Sequence, residues 1–453
     1  MNDVWGRTRS VAPALTAGIA LMLVGALGGR PEIAVLGVAP VIAAAWDLAR
    51  RPGRRVDVSL RRGREGLPDG DGLDGVAAAH DTETIEDAPG GGRLRARVHL
   101  DVSSGAAAVR LRVRRAGSTT AEALVRVDRT RDVGVVVRTV RTGPQDLVRA
   151  DARGVGPGFA VLDDAATSAP RRVLLLPPAR PLGPLPLPFR LRGLTGAHES
   201  QRSGDGGGLR DVHPFTLGDR LRRIDWRVTA RRSPDLSELY VRRTLALADA
   251  VVMLVVDSRD DVGPDPATWS GTAPVRPQDP TSLDLARQAA ASIARELVAV
   301  GDRVGLDDLG VRRRPVPPGG GRRQLDRIVH RLALTHPEGE PVVRLRAPQL
   351  PSGALVVVFS TFLDDGAAQA ARSWRRSGYR VVAVDVLPRF RAAALNQREQ
   401  LALRLLVIER TDRLAALAGN GVELVSWATA DPAVELARLA RRSHRRPGVG
   451  VAR

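Results

Sequence analysis

The sequence predicts a multidomain α+β protein with an N-terminal transmembrane helical hairpin, a β-sandwich-like middle domain and a C-terminal doubly wound α/β domain. Three observations support this prediction. Two apolar runs occupy the first fifty residues. From there to about residue 142, Val and Leu alternate with Arg at the period of two that is typical of strands. After residue 250, short apolar runs alternate with helical patterns, as in a parallel sheet.

The two N-terminal apolar runs predict the membrane hairpin. Residues 11–29 carry no charge, and nineteen residues of helix span about 28 Å, which is enough to cross a hydrocarbon core. Residues 33–46 form a shorter second run that contains Pro40. A cleaved signal peptide is the alternative, although a second apolar run directly after the first argues against it. Arginines flank both ends of the pair, so the positive-inside rule predicts attachment to the inner membrane with most of the chain in the cytoplasm.

The remaining chain divides by composition and periodicity. The predicted parts are the membrane hairpin at 1–54, a β-rich sandwich-like domain at 55–178, a Pro-rich crossover with a charged segment at 179–249, and the α/β domain at 250–453. In the last part, strands are predicted at 250–256, 303–309, 354–360, 380–386 and 422–426. Helices are predicted at 282–300, 322–334, 366–377, 396–418 and 432–443.

The composition excludes several classes of chemistry. The chain has no Cys, which excludes disulfides and thiolate catalysis. All 69 basic residues are Arg, which excludes a Walker A lysine and a Schiff-base lysine. The formal net charge is +19, but the arginines are spread over every segment and only 3% of residues are aromatic. We therefore expect an acidic membrane surface or an acidic protein as partner rather than nucleic acid.

The densest cluster of charge lies at residues 218–231, GDRLRRIDWRVTAR, with five Arg, two Asp and one Trp. One interpretation is an ion-pair network that fixes a domain boundary. The other interpretation is that the segment belongs to a surface that docks a protein partner. For that surface we predict that Asp219 and Asp225 bind Arg222 and Arg231 and that Trp226 is a buried anchor.

The same residues also resemble a family signature. The matching positions are Arg210, Gly218, Asp219, Arg222, Ile224, Asp225, Trp226, Ala230 and Arg231. Their spacing is similar to that of the bacterial family known as domain-of-unknown-function fifty-eight. Two positions depart from its pattern, since His213 stands near the usual aromatic residue and Leu217 replaces the common Pro.

The resemblance implies a fold and partners. In this family the signature precedes a von Willebrand factor A-like domain, which here would be the doubly wound domain. The resemblance also implies a MoxR-class AAA+ ATPase as partner, and a transglutaminase-like membrane protein as a second. The implied role is that of an adaptor in the assembly or maturation of an envelope or metal-dependent complex.

A ligand site is expected where the first strand of the α/β domain ends, at Asp257. Domains of the von Willebrand A type often carry a D-x-S-x-S metal site there, which holds Mg²⁺ through oxygen atoms. In this chain Arg259 and Asp261 replace the two serines, and Thr361 stands where an Asp is usual. We predict a degenerate site without a tightly bound metal, with Mg²⁺ at Asp257 as the alternative. Together with Asp260, Asp257 and Asp261 would then form an acidic docking edge.

No catalytic motif stands out in the sequence. No H-E-x-x-H helix and no G-x-S-x-G elbow occurs. The sequence therefore predicts a membrane-anchored, non-catalytic scaffold or adaptor that docks protein partners. The alternatives are a weak metal-dependent hydrolase centred on Asp257, or a basic protein that binds a membrane surface or nucleic acid.

Overall fold

A computed structural model describes most of the chain. The residues described are 6–7, 11–49, 56–62, 82–84, 92–102, 108–115, 118–127, 130–146, 148–156, 161–162, 165–170, 172–191, 196–269, 274–338, 349–391 and 395–444. The chain forms two compact units. The first comprises Met1–Thr139 with Pro144–Leu174, and the second comprises Val140–Gly143 with Leu175–Arg453.

The first unit begins with two helices, α1 (Val11–Leu27) and α2 (Pro31–Ala49), which pack as a helical hairpin. Glycines allow their backbones to approach closely. A Cβ on Gly25 would lie 2.3 Å from the backbone nitrogen of Ala34, and one on Gly37 would lie 2.5 Å from the carbonyl oxygen of Gly18. Small residues at such contacts bring two helices together without side-chain interdigitation.

The predicted transmembrane hairpin is wrong. Within the described part of the chain, no helix combines the length and the hydropathy that a membrane crossing requires. Helix α1 has 17 residues, fewer than the roughly 20 that span a hydrocarbon core. Helix α2 contains Pro40 and carries Glu32 in its first turn. The location at the inner membrane, which was inferred from the arginines around this hairpin, stays a prediction.

The other elements described in the first unit are strands. They are β1 (Gly6–Arg7), β2 (Val56–Arg62), β3 (Thr82–Thr84), β4 (Gly92–Val102), β5 (Ala108–Arg115), β6 (Ser118–Val125), β7 (Thr130–Thr139), β8 (Gly143–Asp146), β9 (Arg149–Val155), β10 (Val161–Leu162), β11 (Ala166–Thr167) and β12 (Arg172–Leu176). Of these, β8 and β12 belong partly to the second unit. The sheet orders are β1-β10-β9-β5-β6 with β11 on β9, β2-β4-β7, and β3-β12-β8. Alternation explains β5, because Val109, Leu111 and Val113 are buried while Arg110 is exposed.

The second unit contains a long antiparallel pair, β13 (His198–Pro214) and β14 (Tyr240–Ala248). Gly204 and Leu209 of β13 both pair with Thr244, so the glycine-rich residues between them bulge out of the ladder. The connection between the two strands holds a 3₁₀ turn (Leu221–Arg223) and the short helix α3 (Trp226–Arg232). The family signature therefore occupies the end of this pair.

A six-stranded sheet forms the body of the second unit. Its strands are β15 (Val251–Val256), β16 (Arg303–Asp308), β17 (Val316–Gly319), β18 (Leu355–Ser360), β19 (Arg380–Asp385) and β20 (Glu423–Ser426). The order is β17-β16-β15-β18-β19-β20, and every neighbouring pair is parallel except β16 with β17. Central strands such as β18 are buried along their whole length, which explains their continuous apolar sequences.

Helices cover both faces of this sheet. They are α4 (Ser282–Ala299), α5 (Arg322–Ala333), α6 (Gly366–Arg376), α7 (Gln397–Gly419) and α8 (Pro432–His444). Side chains of α4, α5 and α8 share one core with the sheet, and those of α6 and α7 share the other. The chain runs from β15 outward to β16 and then returns to place β18 on the opposite side of β15. The carboxyl ends of β15 and β18 therefore form the topological switch point, where such folds bind ligands.

Candidate functional site

The switch point brings Asp257 beside the end of β18. Asp257 directly follows β15 and is buried, with 6% of its surface exposed. The Ser360 hydroxyl, which ends β18, donates to Oδ2 of Asp257 at 2.8 Å. The sequence-based prediction that Asp257 lies at this edge is confirmed by the strand register.

Arg259 binds both carboxylate oxygens of Asp257. Its Nε donates to Oδ1 and its NH2 donates to Oδ2, both at 2.8 Å. The same NH2 also donates to Oδ1 of Asp364 at 2.9 Å. Burial alone would lower the pKa of Arg259, but its bonds and charge pairing with the two aspartates raise that pKa above its ordinary value. The guanidinium thus bridges two carboxylates with its positive charge.

The neighbouring carboxyls are held by hydroxyls and backbone groups. Asp260 accepts from the Thr361 hydroxyl at 3.0 Å, and Asp308 accepts from the Ser258 hydroxyl at 2.6 Å. Burial raises the pKa of Asp260 and Asp308 above the ordinary value, and the negative charge of Asp257 adds to the shift in both. These groups are therefore poorer ligands for a cation than ionised, exposed carboxylates.

Asp261 contacts other residues than Asp257 does. Its Oδ2 lies 3.7 Å from NH2 of Arg141. Burial raises the pKa of Asp261, a hydrogen bond from Thr281 opposes the shift, and the charge of Asp284 adds to it. Asp257 and Asp261 are thus held in separate networks rather than around one common centre.

This geometry bears directly on the predicted metal site. Among the described residues, no group of three or more acidic or His side chains is arranged to hold a metal ion. The guanidinium of Arg259 contacts both oxygens of Asp257, which a divalent cation would otherwise need. That contact supports a degenerate site, although the absence of a tightly bound metal stays a prediction. The predicted role of Asp257 in an acidic docking edge is wrong, because its carboxylate is buried and bonded within the protein.

A small cavity lies at the carboxyl end of the neighbouring strand β16. It is lined by residues that include Asp308, Arg313, Arg331 and His336, and its volume is about 30 Å³. That volume admits roughly one or two water molecules.

The signature uses its first aspartate to close a turn. Oδ2 of Asp219 accepts from the backbone nitrogen and the hydroxyl of Thr216, at 3.0 and 2.8 Å, and lies 3.0 Å from Nε2 of His213. The bonds from Thr216, joined by the charge of His213, lower the pKa of Asp219 to about 2. Gly218 adopts a φ of +100°, which only glycine adopts without strain. Oδ1 of Asp219 also lies 3.6 Å from NH2 of Arg243. Asp219 is thus held by Thr216, His213 and Arg243, and the predicted bond with Arg222 is wrong.

The second aspartate of the signature begins α3. Oδ1 of Asp225 accepts from the backbone nitrogen of Val228 at 3.1 Å, as an N-cap residue does. The predicted pairing of Asp225 with Arg231 is therefore wrong. Trp226, predicted as a buried anchor, is 61% exposed at the first helical position of α3, so that prediction is wrong. In place of the predicted pairs, the two aspartates make turn and cap bonds, and Asp219 pairs with Arg243 instead of Arg222.

The remaining signature positions face outward or pair locally. Arg210, Arg222, Ala230 and Arg231 are exposed, and Ile224 is half-buried in a β-bridge with Val241. The structure adds exposed apolar side chains that the sequence did not single out. They lie on the same connection: Leu217, Leu221 and Leu236. Exposure of these leucines has no signal in the sequence, since apolar residues in a loop are more often buried.

The second unit has a doubly wound α/β fold. At the edge of its sheet where such folds bind ligands, an arginine binds the carboxylate of Asp257. The connection between β13 and β14 exposes a Trp and several Leu side chains. Residues 211–397 match the family described as "Protein of unknown function DUF58". This match confirms the resemblance that the signature indicated.

Other comparisons add little. No curated protein matches the chain significantly. The solution NMR structure of the CARDB domain of PF1109 from Pyrococcus furiosus is 12% identical, and the match covers 27% of this chain and 94% of that one, with a TM-score of 0.16. That TM-score is too low to indicate a shared fold.

Proposed function

We propose that the protein is a non-catalytic docking protein whose signature connection, residues 215–239, binds a protein partner. The observation that carries this proposal is the 61% exposure of Trp226 on a connection that also exposes Leu217, Leu221 and Leu236. Large apolar side chains grouped on a surface are typical of interaction sites, and Trp is enriched among residues that dominate binding energy.

The charges of the connection indicate the chemistry of the partner. Its three aspartates are used internally: Asp219 closes a turn, Asp225 caps α3, and Asp235 accepts from the Ser233 hydroxyl at 3.0 Å. Its arginines include the exposed side chains of Arg222 and Arg227. The connection also carries Glu238, an exposed carboxylate that accepts from the Tyr240 hydroxyl at 3.1 Å. With six Arg against three Asp and one Glu, the connection keeps a net positive charge, which suits an acidic surface that contains an apolar pocket.

The family resemblance supplies the candidate partner. We propose a MoxR-class AAA+ ATPase as the protein that docks here, with a transglutaminase-like membrane protein as a second member of the assembly. The role would be that of an adaptor in the assembly or maturation of an envelope or metal-dependent complex. A non-catalytic role agrees with Arg259, which blocks the carboxylate on which a metal-dependent hydrolase would depend.

A binding titration tests the proposal. The full chain is titrated with a purified MoxR-class ATPase from the same organism, with and without ATP. We expect Trp226→Ala to weaken binding by about 2 kcal/mol or more, as truncation of a central aromatic anchor does. Phe390→Ala is the matched control, because Phe390 is also an exposed aromatic residue but lies outside the signature. Equal affinities for the wild type and the Trp226 variant would refute docking through this connection.

A further inference from the structure

The amino-terminal half of α7 has few contacts with the rest of the protein. Within α7 only Leu417, near the carboxyl end, is fully buried. Two arginines attach the carboxyl-terminal half of α7 to the residues after β18. Nε of Arg410 donates to the Thr361 carbonyl at 2.7 Å, and NH1 of Arg413 donates to the Phe362 carbonyl at 2.9 Å. Residues 396–402, in contrast, are all exposed. Among the described residues, the first turns of α7 therefore present an exposed surface.

That surface carries an apolar stripe. Leu401, Leu405 and Ile408 are 62%, 59% and 57% exposed. Their spacings of four and three residues place them on one side of the helix. A stripe of this kind on a surface helix is the usual contact face for a second helix.

Opposite charges mark the two ends of the stripe. Arg398 precedes Leu405 by seven residues and Asp412 follows it by seven. Seven residues are close to two helical turns, so both side chains lie on the same side of α7 as Leu405. Both are exposed, and neither forms an ion pair with any residue in the described part of the chain.

We propose that this stripe binds the same stripe of a second copy of the protein. The two α7 helices would run antiparallel about a two-fold axis at Leu405. Arg398 of each copy would then lie beside Asp412 of the other, while the Leu and Ile side chains pack between them. A two-fold contact needs a surface that is complementary to itself, and the symmetric placement of the opposite charges supplies that complementarity.

The amino end of α7 is capped within the protein, before any such contact forms. Asn396 and Glu399 make a capping box, in which Oδ1 of Asn396 accepts from the Glu399 nitrogen at 3.0 Å and the Glu399 carboxylate accepts from the Asn396 nitrogen at 2.8 Å. A capped helix loses little further freedom on binding. The contact is short, so we expect a weak dimer with a dissociation constant on the order of micromolar.

Sedimentation equilibrium of the full chain tests the proposal. We expect the wild type to convert from monomer to dimer with concentration, and Leu405→Arg to stay monomeric. Val300→Arg is the matched control, because Val300 is an exposed apolar residue on another helix end. Thermal unfolding followed by circular dichroism confirms that each variant is folded.

A charge exchange distinguishes this dimer from other contacts. Arg398→Asp and Asp412→Arg should each weaken the dimer by about tenfold, and the double variant should restore it. A wild type that is monomeric at every concentration overturns the proposal. So does a dimer that Leu405→Arg leaves intact, or a double variant that dimerises no better than the single ones. Because none of these residues lies in the signature, the outcome is independent of the docking proposed there.

Discussion

The Arg259 guanidinium supplies the positive charge beside Asp257 at the carboxyl edge of the sheet. It lies between Asp257 and Asp364, with donor–acceptor distances of 2.8 to 2.9 Å. A side-chain cation neutralises the edge permanently, whereas a metal ion would leave coordination positions open for exchange. The carboxylates at this edge are bonded within the protein. We therefore propose that a partner docks at the signature connection instead.

Replacing Arg259 tests this role. Arg259→Ser should lower the free energy of unfolding by about 3–5 kcal/mol, because Asp257 is left buried without its cation. Millimolar Mg²⁺ should restore part of that loss in the variant and leave the wild type unchanged, since the freed oxygens can bind the ion. Thermal unfolding with and without Mg²⁺ measures both effects. An equal response of the wild type to Mg²⁺ would show that Arg259 does not exclude the metal.

At the scale of elements, the β13–β14 pair is anchored at its amino end by one histidine. Nε2 of His198 lies 3.0 Å from both carboxylate oxygens of Asp302, and Asp302 also accepts from the backbone nitrogen of Ala250 at 2.8 Å. The hydrogen bond and the charge of Asp302 raise the pKa of His198 above 6.5, while burial opposes the shift. The strand pair is thereby attached to the start of β15.

This anchor makes stability depend on pH. Because the pKa of His198 is raised in the folded state, its contribution is fully present below the unfolded pKa of about 6.5 and is lost as the pH rises through the folded pKa. His198→Gln should therefore cost about 1 kcal/mol near pH 6 and less at higher pH, the histidine being partly exposed.

Urea unfolding across this pH range measures the difference. His330→Gln is the control, since His330 lies exposed on α5. A His198→Gln cost that does not change with pH would contradict the charged contact with Asp302.

The elements also show what the sequence could predict and what it could not. The apolar run at 250–256 correctly predicted β15, because a buried parallel strand has a continuous apolar sequence. Asp257, which follows the run, lies at the end of this strand as predicted. The N-cap role of Asp225 was readable from an Asp before a helical pattern, but the arginines around it suggested ion pairs instead. The exposure of Trp226 depends on how the short helix α3 packs, which the composition of the segment does not determine. The apolar runs near the amino terminus predicted two helices but not their length.

At the scale of the whole molecule, a buried carboxylate connects distant parts of the second unit. Asp284, in the capping box of α4, accepts from the backbone nitrogen and the hydroxyl of Thr142, both at 2.7 Å, and its Oδ2 lies 2.8 Å from Nε of Arg141. Arg287 donates to the carbonyls of Thr142 and Thr335, at 3.0 and 2.5 Å. These bonds hold residues 140–143 in the second unit although their neighbours in sequence belong to the first.

Removing this carboxylate should destabilise the second unit. Asp284→Ala leaves the buried Arg287 without its anion, so we expect a loss of about 3–5 kcal/mol in the free energy of unfolding. Asp326→Ala, at an exposed position on α5, should change it by less than about 0.5 kcal/mol. Urea midpoints compare the two variants, and similar midpoints would mean that Asp284 does not hold residues 140–143.

Site-specific photo-crosslinking tests the central claim most directly. A photoreactive amino acid is placed at position 226 of the full chain in cells, and at position 300 as a control, since Val300 is exposed outside the signature. Docking through the signature predicts a crosslinked product at position 226 that contains a MoxR-class ATPase, and none at position 300. The absence of that product at position 226, or the same product at both positions, would contradict the account.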